Sequence, residues 1–409
     1  MATNPNVQGQ YGRPQPGSPQ RYRRNRRSEL AIWWREIDRV LLVLVLILMA
    51  IGDAAVAAAS PASARRLSTA AVSLGDVHFF VLHLRWQALG IVAMIGASML
   101  PRLLARRLGI LLGAAMIVAL LLVPLVGSEV NGARRWLNLG VSLQPSEFLK
   151  PAFAIGLAWI LSWRVRDPNL PVVAMSIAIM TLVAALLMLQ PDFGSTLLFA
   201  GVWFVLVLLS GLSVRRIAGA IGGGVGLLML MYMFYENGRH RIDAFLGGGT
   251  AFDQVDLAQR TLLAGGWTGT GLWLGTRKLS LPEAHTDYIF SVIGEEFGLL
   301  VCAVIVLVYL AIMVRVLLRL VDEDDLFTVL AATGLVAQFG GQAFINILVN
   351  LQLFPSKGMT LPLISYGGSS TVALCLTIGL LLAITRRNPF ITREGLVPRD
   401  HAKERGRSR

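Results

Sequence analysis

An all-α polytopic membrane protein is the fold class this sequence predicts, with about ten transmembrane helices and a long extracytoplasmic loop between spans 7 and 8. Three observations carry that expectation. The 409 residues are 55% hydrophobic and only 15% charged. The apolar residues come in blocks of about twenty, the length that crosses roughly 30 Å of hydrocarbon. The polar segments between blocks are rich in arginine, as short cytoplasmic loops are.

In order, residues 1–36 contain "GRPQPGSPQRYRRNRR" and predict a disordered basic tail. A membrane domain follows over 37–388. Its first span is "DRVLLVLVLILMAIGDAAVAAAS". The next small residues, "AAASPASA", imitate a signal-peptidase site, but the apolar run exceeds a signal h-region, so the segment reads as a retained span. Nine more spans are expected at 79–99, 108–127, 149–163, 171–189, 193–211, 216–235, 288–314, 327–352 and 361–385. The fourth is short and opens "LKPAF", which predicts a bent or partly re-entrant helix. A second basic cytoplasmic tail occupies 389–409.

Ten spans return both termini to one side. The stretches "RYRRNRR", "PRLLARR", "SWRVR", "SVRR", "RVLLR" and "ITRR" fall there, which makes that side the cytoplasm. "NGARRW" and "ENGRHRIDAF" fall opposite, against the arginine bias, so topology does not explain them. The second lies in the long loop 236–287, and a loop of that length is usually functional.

Composition narrows the function. The net charge of +13 is accounted for by loop arginines facing an anionic lipid bilayer, and with no accompanying motif no nucleic acid partner is expected. Cys302 and Cys375 both lie in apolar runs, which excludes a disulfide framework and a cysteine metal site. The five histidines have no HExxH spacing, and "GGWTGTGLWLG" lacks the strand–turn–helix frame of a nucleotide loop.

The stretch "LPEAHTDYIFSVIGEEFG" runs straight into "LLVCAVIVLVYLAIMV". A carboxylate at mid-bilayer costs about 2.5–3.5 kcal/mol, so these acids need a reason to be there. In a helix starting near Asp287, residues Ser291, Gly294 and Gly298 fall within about 40° of it and form a small, polar stripe facing other helices. Glu295 edges that stripe. Glu296 points about 180° away and sits roughly 13 Å deeper than Asp287. Asp287 is then the shallow carboxylate at the mouth, placed for chemistry, although an N-cap would also use Asp. Glu295 and Glu296 are read as structural buried carboxylates with separate roles, and Arg85 as a partner for Glu296.

Lysine is used sparingly: of 37 basic residues only Lys150, Lys278, Lys357 and Lys403 are lysines. The first three map to the extracytoplasmic face, where a compact ammonium suits phosphate; snorkelling would place them there too. "NGARRWLNLGVSLQPSEFLKP" sets Arg135, Glu147 and Lys150 around two turn signals. "FPSKGMTLPLISYGGSS" puts Lys357 in a loop and then Ser365 and Ser369 in a run of small residues inside a span. Such a run is tolerated where it lines a cavity or packs closely on protein.

Taken together, "NGARRW", "QPSEFLKP", "QPDFGS", "LPEAHTDYIFSVIGEEFG", "QAFINILVN" and "KGMTLPLISYGGSS" closely resemble the shape, elongation, division and sporulation (SEDS) family. Asn350, Lys357 and the long basic tail look like its division branch; Tyr288 and "LFPSK" are small departures. The resemblance implies a peptidoglycan glycosyltransferase that polymerises lipid II at the outer face of a bacterial inner membrane, at the division septum. It implies Asp287 as the catalytic aspartate. It also implies a complex with a class B penicillin-binding protein, a transpeptidase, among other division proteins.

The residues agree with that expectation. One carboxylate suffices to take a proton from the acceptor hydroxyl. Undecaprenyl pyrophosphate leaves as a good anion, so no carboxylate pair of the glycosidase kind is needed. Arg135, Lys150, Arg239, Arg241 and Lys357 are candidates to hold pyrophosphate, with Ser365 and Ser369 as hydroxyl donors. Mg²⁺ or Mn²⁺ is the expected bridging ion, and no organic cofactor is expected. A single displacement inverts the anomeric centre. The competing readings are a lipid II flippase, with Glu295, Glu296 and Arg85 marking its path, and a structural division scaffold.

Overall fold

The computed structural model describes residues 26–387, except 70–72, 131–132, 139, 141, 356–357 and most of 212–253. One compact unit comprises Ile37–Arg387. In the other unit the described part is α1 (Arg26–Glu36). The expectation of a disordered tail over 1–36 is corrected there: "RRSELAIWWRE" is helical, in keeping with its Leu, Glu, Ala and Arg content.

The membrane unit is built from α2 (Arg39–Leu67), α3 (His78–Ser98), α4 (Arg102–Val126), α5 (Pro145–Ser162), α6 (Val172–Met188) and α7 (Phe193–Leu209). It continues with α8 (Gln254–Ala264), α9 (Ile289–Leu320), α10 (Leu326–Asn350) and α11 (Ser369–Ile384). Among the described residues six helices are long and apolar enough to cross a membrane, and α6, α7 and α11 are shorter apolar helices. They occupy every expected span except 216–235, which lies almost wholly outside the described residues. The fold is the expected all-α polytopic one.

Local chemistry sets the ends. Asp38 caps α2 by accepting from the amides of Val40 (3.1 Å) and Leu41 (3.2 Å). The same carboxylate meets Arg315 at 3.0 Å and Arg319 at 2.7 Å, which ties the start of α2 to the end of α9. Burial alone would raise the Asp38 carboxyl, but the two arginines and the Leu41 amide hold it below its ordinary value. The "AAASPASA" stretch lies inside α2, which continues through Pro61. No re-entrant break occurs at "LKPAF" either: α5 is one helix through Pro151.

"NGARRW" was read only as a loop. Its residues 133–136 lie in a small antiparallel sheet of β1 (Ser128–Val130), β2 (Ala133–Asn138) and β3 (Ser142–Leu143), with Glu129 opposite Arg134 and Leu137 opposite Leu143. The Asn-Gly pair between two short runs is a hairpin signal.

Helix α9 is broken at Gly298, whose φ of 86° and ψ of 169° are not helical. The segment after α8 fills the gap. The amides of Thr270 and Gly271 donate to the carbonyls of Glu295 (2.8 Å) and Glu296 (3.0 Å), and those of Leu299 and Leu300 donate to Gly266 (3.0 Å) and Trp267 (3.2 Å). The groups orphaned by the break are thus satisfied by protein, as membrane depth requires. Only glycine permits this approach: a Cβ on Gly298 would come within 2.4 Å of the Gly269 amide nitrogen.

The tenth span was expected from 361, but α11 begins at Ser369. The preceding residues turn instead, with Leu363 at φ 64° and Gly368 at φ 52°. Their polar groups find partners outside a helix: Tyr309 donates to the Pro362 carbonyl (2.5 Å), and the Tyr366 amide donates to the His285 carbonyl (2.9 Å). This turn packs against the segment that carries Asp287.

Candidate active site

A cavity of about 850 Å³ opens where the end of α2, α3, the small sheet, the start of α5, the 281–288 loop and the turn before α11 meet. Asp287, Arg135, Glu147 and Ser369 all line it.

Asp287 sits in a turn just before α9 and is half-buried. The helix expected to start near Asp287 begins at Ile289 and leaves Asp287 just outside it. The reason is that the Asp287 carbonyl accepts from the side-chain amides of Asn346 (2.8 Å) and Asn350 (3.2 Å) on α10. Beside it Gly358 has φ 61°, and a Cβ there would come within 3.4 Å of Oδ2 of Asp287. Two residues earlier, His285 is buried. Its Nδ1 lies 2.8 Å from the Ser63 hydroxyl, and its ring stacks on Tyr366 at 5.5 Å between centroids. Burial pushes His285 down to about 4, against the opposing charge of Glu283, so its imidazole is neutral at neutral pH.

The opposite wall is held from behind. Lys150 is only 2% exposed. Its Nζ donates to Glu147 (2.7 Å) and Gln342 (2.8 Å), and Glu147 also accepts from Ser370 (3.1 Å). Lys150 therefore stands behind the cavity lining and holds Glu147, which lines it.

The remaining candidates divide clearly. Arg135 lines the cavity, and its guanidinium is fixed by donating to the Gln190 (3.1 Å) and Pro191 (2.5 Å) carbonyls. Ser369 lines it too, accepting from the Gln144 amide (3.3 Å). Ser365 is off the lining: it accepts from the Leu361 amide (2.8 Å) and donates to the Thr286 carbonyl (2.6 Å), which binds the turn to the Asp287 loop. Arg239 is exposed, 3.9 Å from Asp243, and is not a lining residue. Arg241 and Lys357 lie outside the described residues.

Glu295 and Glu296 are both 1% exposed, and the expectation that they serve separate places is corrected. Glu295 accepts from the amides of Arg277 (2.6 Å) and Lys278 (2.9 Å). Glu296 accepts from the amides of Trp273 and Gly275 and from the ammonium of Lys278. Opposite directions on one helix meet the same segment, 273–278, because that segment wraps around the broken end of α9. Lys278, not Arg85, is the partner of Glu296; Arg85 is exposed. The stripe does face protein: Ser291 bonds Asn350, and a Cβ on Gly294 would strike Leu262 at 2.3 Å.

Sequence reasoning missed Arg66, Trp86, His285 and Tyr366, which also line the cavity. Arg66 carried a signal: it follows the first span on the face where arginine is disfavoured, as Arg135 does. Trp86 bonds the Tyr366 side chain, a pairing of residues 280 positions apart that no local pattern announces. Among the described residues no three His, Cys, Asp or Glu side chains gather as metal ligands do. Glu147 is already engaged by Lys150 and Ser370, and among the described residues Glu283 and Asp287 are the other carboxylates on the lining.

The cell cycle protein family model covering FtsW, RodA and SpoVE matches residues 38–389. The probable peptidoglycan glycosyltransferase FtsW of Caulobacter vibrioides (strain NA1000 / CB15N) is 34% identical over 371 residues, 90% of this chain and 94% of that protein. The protein of the same description from Nitrosomonas europaea (strain ATCC 19718 / CIP 103999 / KCTC 2705 / NBRC 14298) is 34% identical over 382 residues, 88% of this chain and 95% of its own. A chain from the structure described as "Structural coordination of polymerization and crosslinking by a peptidoglycan synthase complex" superposes with a TM-score of 0.71 at 27% identity. It covers 85% of this chain and 97% of that one. The crystal structure of Thermus thermophilus rod shape determining protein RodA gives 0.62 at 27% identity, over 86% and 97% of the two chains. Sequence and fold agree that this multi-pass membrane chain belongs to the FtsW/RodA/SpoVE family of cell cycle proteins.

Proposed function

We propose that the chain is a peptidoglycan glycosyltransferase of cell division that polymerises lipid II, with the cavity as its active site. The observation that carries this reading is the half-buried Asp287 facing a cavity whose wall also holds Arg66 and Arg135. The relatives described as FtsW support the activity and the division branch.

In this reading the acceptor sugar's hydroxyl gives its proton to the Asp287 carboxylate, and its oxygen bonds to the donor's anomeric carbon. The bond from that carbon to the pyrophosphate oxygen breaks, and undecaprenyl pyrophosphate leaves with the electron pair. A single displacement turns an α-linked donor into a β-linked glycan. Arg135 and Arg66 offer charge-assisted hydrogen bonds to the pyrophosphate. Ser369 adds a polar contact on the wall. Arg241 and Lys357 remain candidates for the same anion, and Mg²⁺ or Mn²⁺, when bound, would neutralise charge on the pyrophosphate.

The outer face of the inner membrane, cytoplasmic termini and enrichment at the septum follow from the arginine bias and the division branch. A class B penicillin-binding protein is the proposed partner; the structural neighbour from a peptidoglycan synthase complex supports it. A flippase would need free intramembrane charges along a path, whereas Glu295 and Glu296 are both bonded to the 273–278 segment.

The test is purified protein in detergent with lipid II, read as glycan polymer on a gel. Polymer from the parent protein and none from Asp287→Asn supports the reading. Movement of lipid II across liposomes without polymer would replace it with the transporter.

A further inference from the structure

Helix α10 carries four side-chain amides spaced four residues apart on one face, Gln338, Gln342, Asn346 and Asn350, and the last three, Gln342, Asn346 and Asn350, are bonded to other segments. Their exposures are 0%, 2% and 0%. Amides buried in an apolar helix are costly unless bonded; Gln342 is bonded to Lys150 and Thr360, and Asn346 and Asn350 share the Asp287 carbonyl.

Gln342 accepts from Lys150 (2.8 Å) and donates to the Thr360 carbonyl (3.0 Å). Asn346 donates to the carbonyls of Met359 (2.6 Å) and Asp287 (2.8 Å). Asn350 donates to the Asp287 carbonyl (3.2 Å) and the Asn346 carbonyl (2.9 Å), and accepts from the Ser291 hydroxyl (2.7 Å) and amide (3.2 Å). The 359–360 segment runs between the first two rungs. Thr360 also meets Ser370 at 3.1 Å, and Ser370 donates to Glu147 at 3.1 Å.

These bonds form one connected path from the Glu147–Lys150 wall to Asp287. Asp287 lies in a turn, outside any helix or strand, so its position depends on side-chain bonds of this kind. We propose that the amide ladder of Gln342, Asn346 and Asn350 is the positioning element that holds Asp287 in register with the Glu147–Lys150 wall. Asn346 and Asn350 act on the reaction through Asp287 and touch no substrate. The proposal rests on Asp287 as general base.

The ladder accounts for the uncharged polar groups at these three positions of α10. An amide donates to two carbonyls at once without bringing a charge next to the carboxylate. A lysine there would lower the proton affinity of Asp287, and a carboxylate would raise it.

The experiment uses the full chain in detergent with lipid II as substrate, and two variants, Asn346→Leu and Asn346→Asp. Binding of lipid II and polymerisation are measured separately, with thermal unfolding as the check of folding. Misplacing a catalytic group by about 1 Å lowers rate by up to about 100-fold. The expected result is a kcat about 10- to 100-fold lower in both variants, with lipid II affinity within about twofold of the parent. The Asp variant retains shape and is the second route should the Leu variant not fold. Either variant, folded and turning over at the parent kcat, overturns the proposal, as does a loss confined to lipid II affinity. Parent protein that makes no polymer would instead sink the function it rests on.

Discussion

Lys278 donates its ammonium to the carboxylate of Glu296 across the break in α9, with both side chains buried. The pair joins the 265–279 segment to the helix it interrupts, a few residues from the loop that carries Asp287. Lys278 also donates to the Ala58 carbonyl of α2 (2.9 Å), so one ammonium connects α2, the inserted segment and α9.

Removing one partner of a buried ion pair costs about 3–5 kcal/mol because the other charge is left uncompensated. Glu296→Ala is therefore expected to lower the melting temperature in detergent well below that of Asp287→Ala. Thermal unfolding of both variants, alongside glycan synthesis, checks this. A Glu296→Ala protein as stable as the parent yet inactive would move the deep carboxylate into the mechanism.

Asp287→Asn is expected to lose polymerisation while keeping the parent's melting temperature and lipid II affinity. The backbone carbonyl that Asn346 and Asn350 bond is unchanged by the substitution; only the proton acceptor is lost. Near-parental polymer yield from this variant would leave Asp287 a turn residue.

Lys150→Ala leaves Glu147 buried without its cation, again at a cost of about 3–5 kcal/mol. Loss of stability together with activity is the expected outcome. Lys150→Arg should rescue poorly, because a 2%-exposed site has no room for the larger guanidinium fork. Melting curves read beside lipid II binding separate this from direct contact with substrate, which would weaken binding at unchanged stability.

Gly298→Ala places a Cβ 2.4 Å from the Gly269 amide nitrogen at a φ of 86°. Strain of this kind costs about 1–3 kcal/mol before the clash is counted. Lower yield and melting temperature are expected, and an unchanged melting curve would contradict the inserted segment.

Acid should weaken the loop beside Asp287. His285 is held down to about 4 by burial, while in the unfolded chain it titrates near 6.5. Between those values the unfolded state binds the proton and the folded state does not, so stability is full above about 6.5 and falls as pH drops toward 4. Melting temperatures across that window should fall less in His285→Phe than in the parent. Identical slopes would remove His285 from the pH response.

Much of this protein was legible in the sequence alone. Spans emerge from the local length of apolar runs, since crossing hydrocarbon is a requirement on about twenty consecutive residues. Asp287 stood out because a carboxylate at the mouth of an apolar run is costly, and Arg135 because it violates the arginine bias. What the sequence left open is what depends on distant segments meeting. Glu295 and Glu296 looked independent on an ideal helix, yet both serve 273–278, because that segment wraps a break that only Gly298's partners across space make stable. Lys150 looked like a phosphate ligand until the fold set Glu147 and Gln342 around it. A side chain's cost is written in its own neighbourhood of the sequence; the partner that offsets it is chosen by tertiary contact.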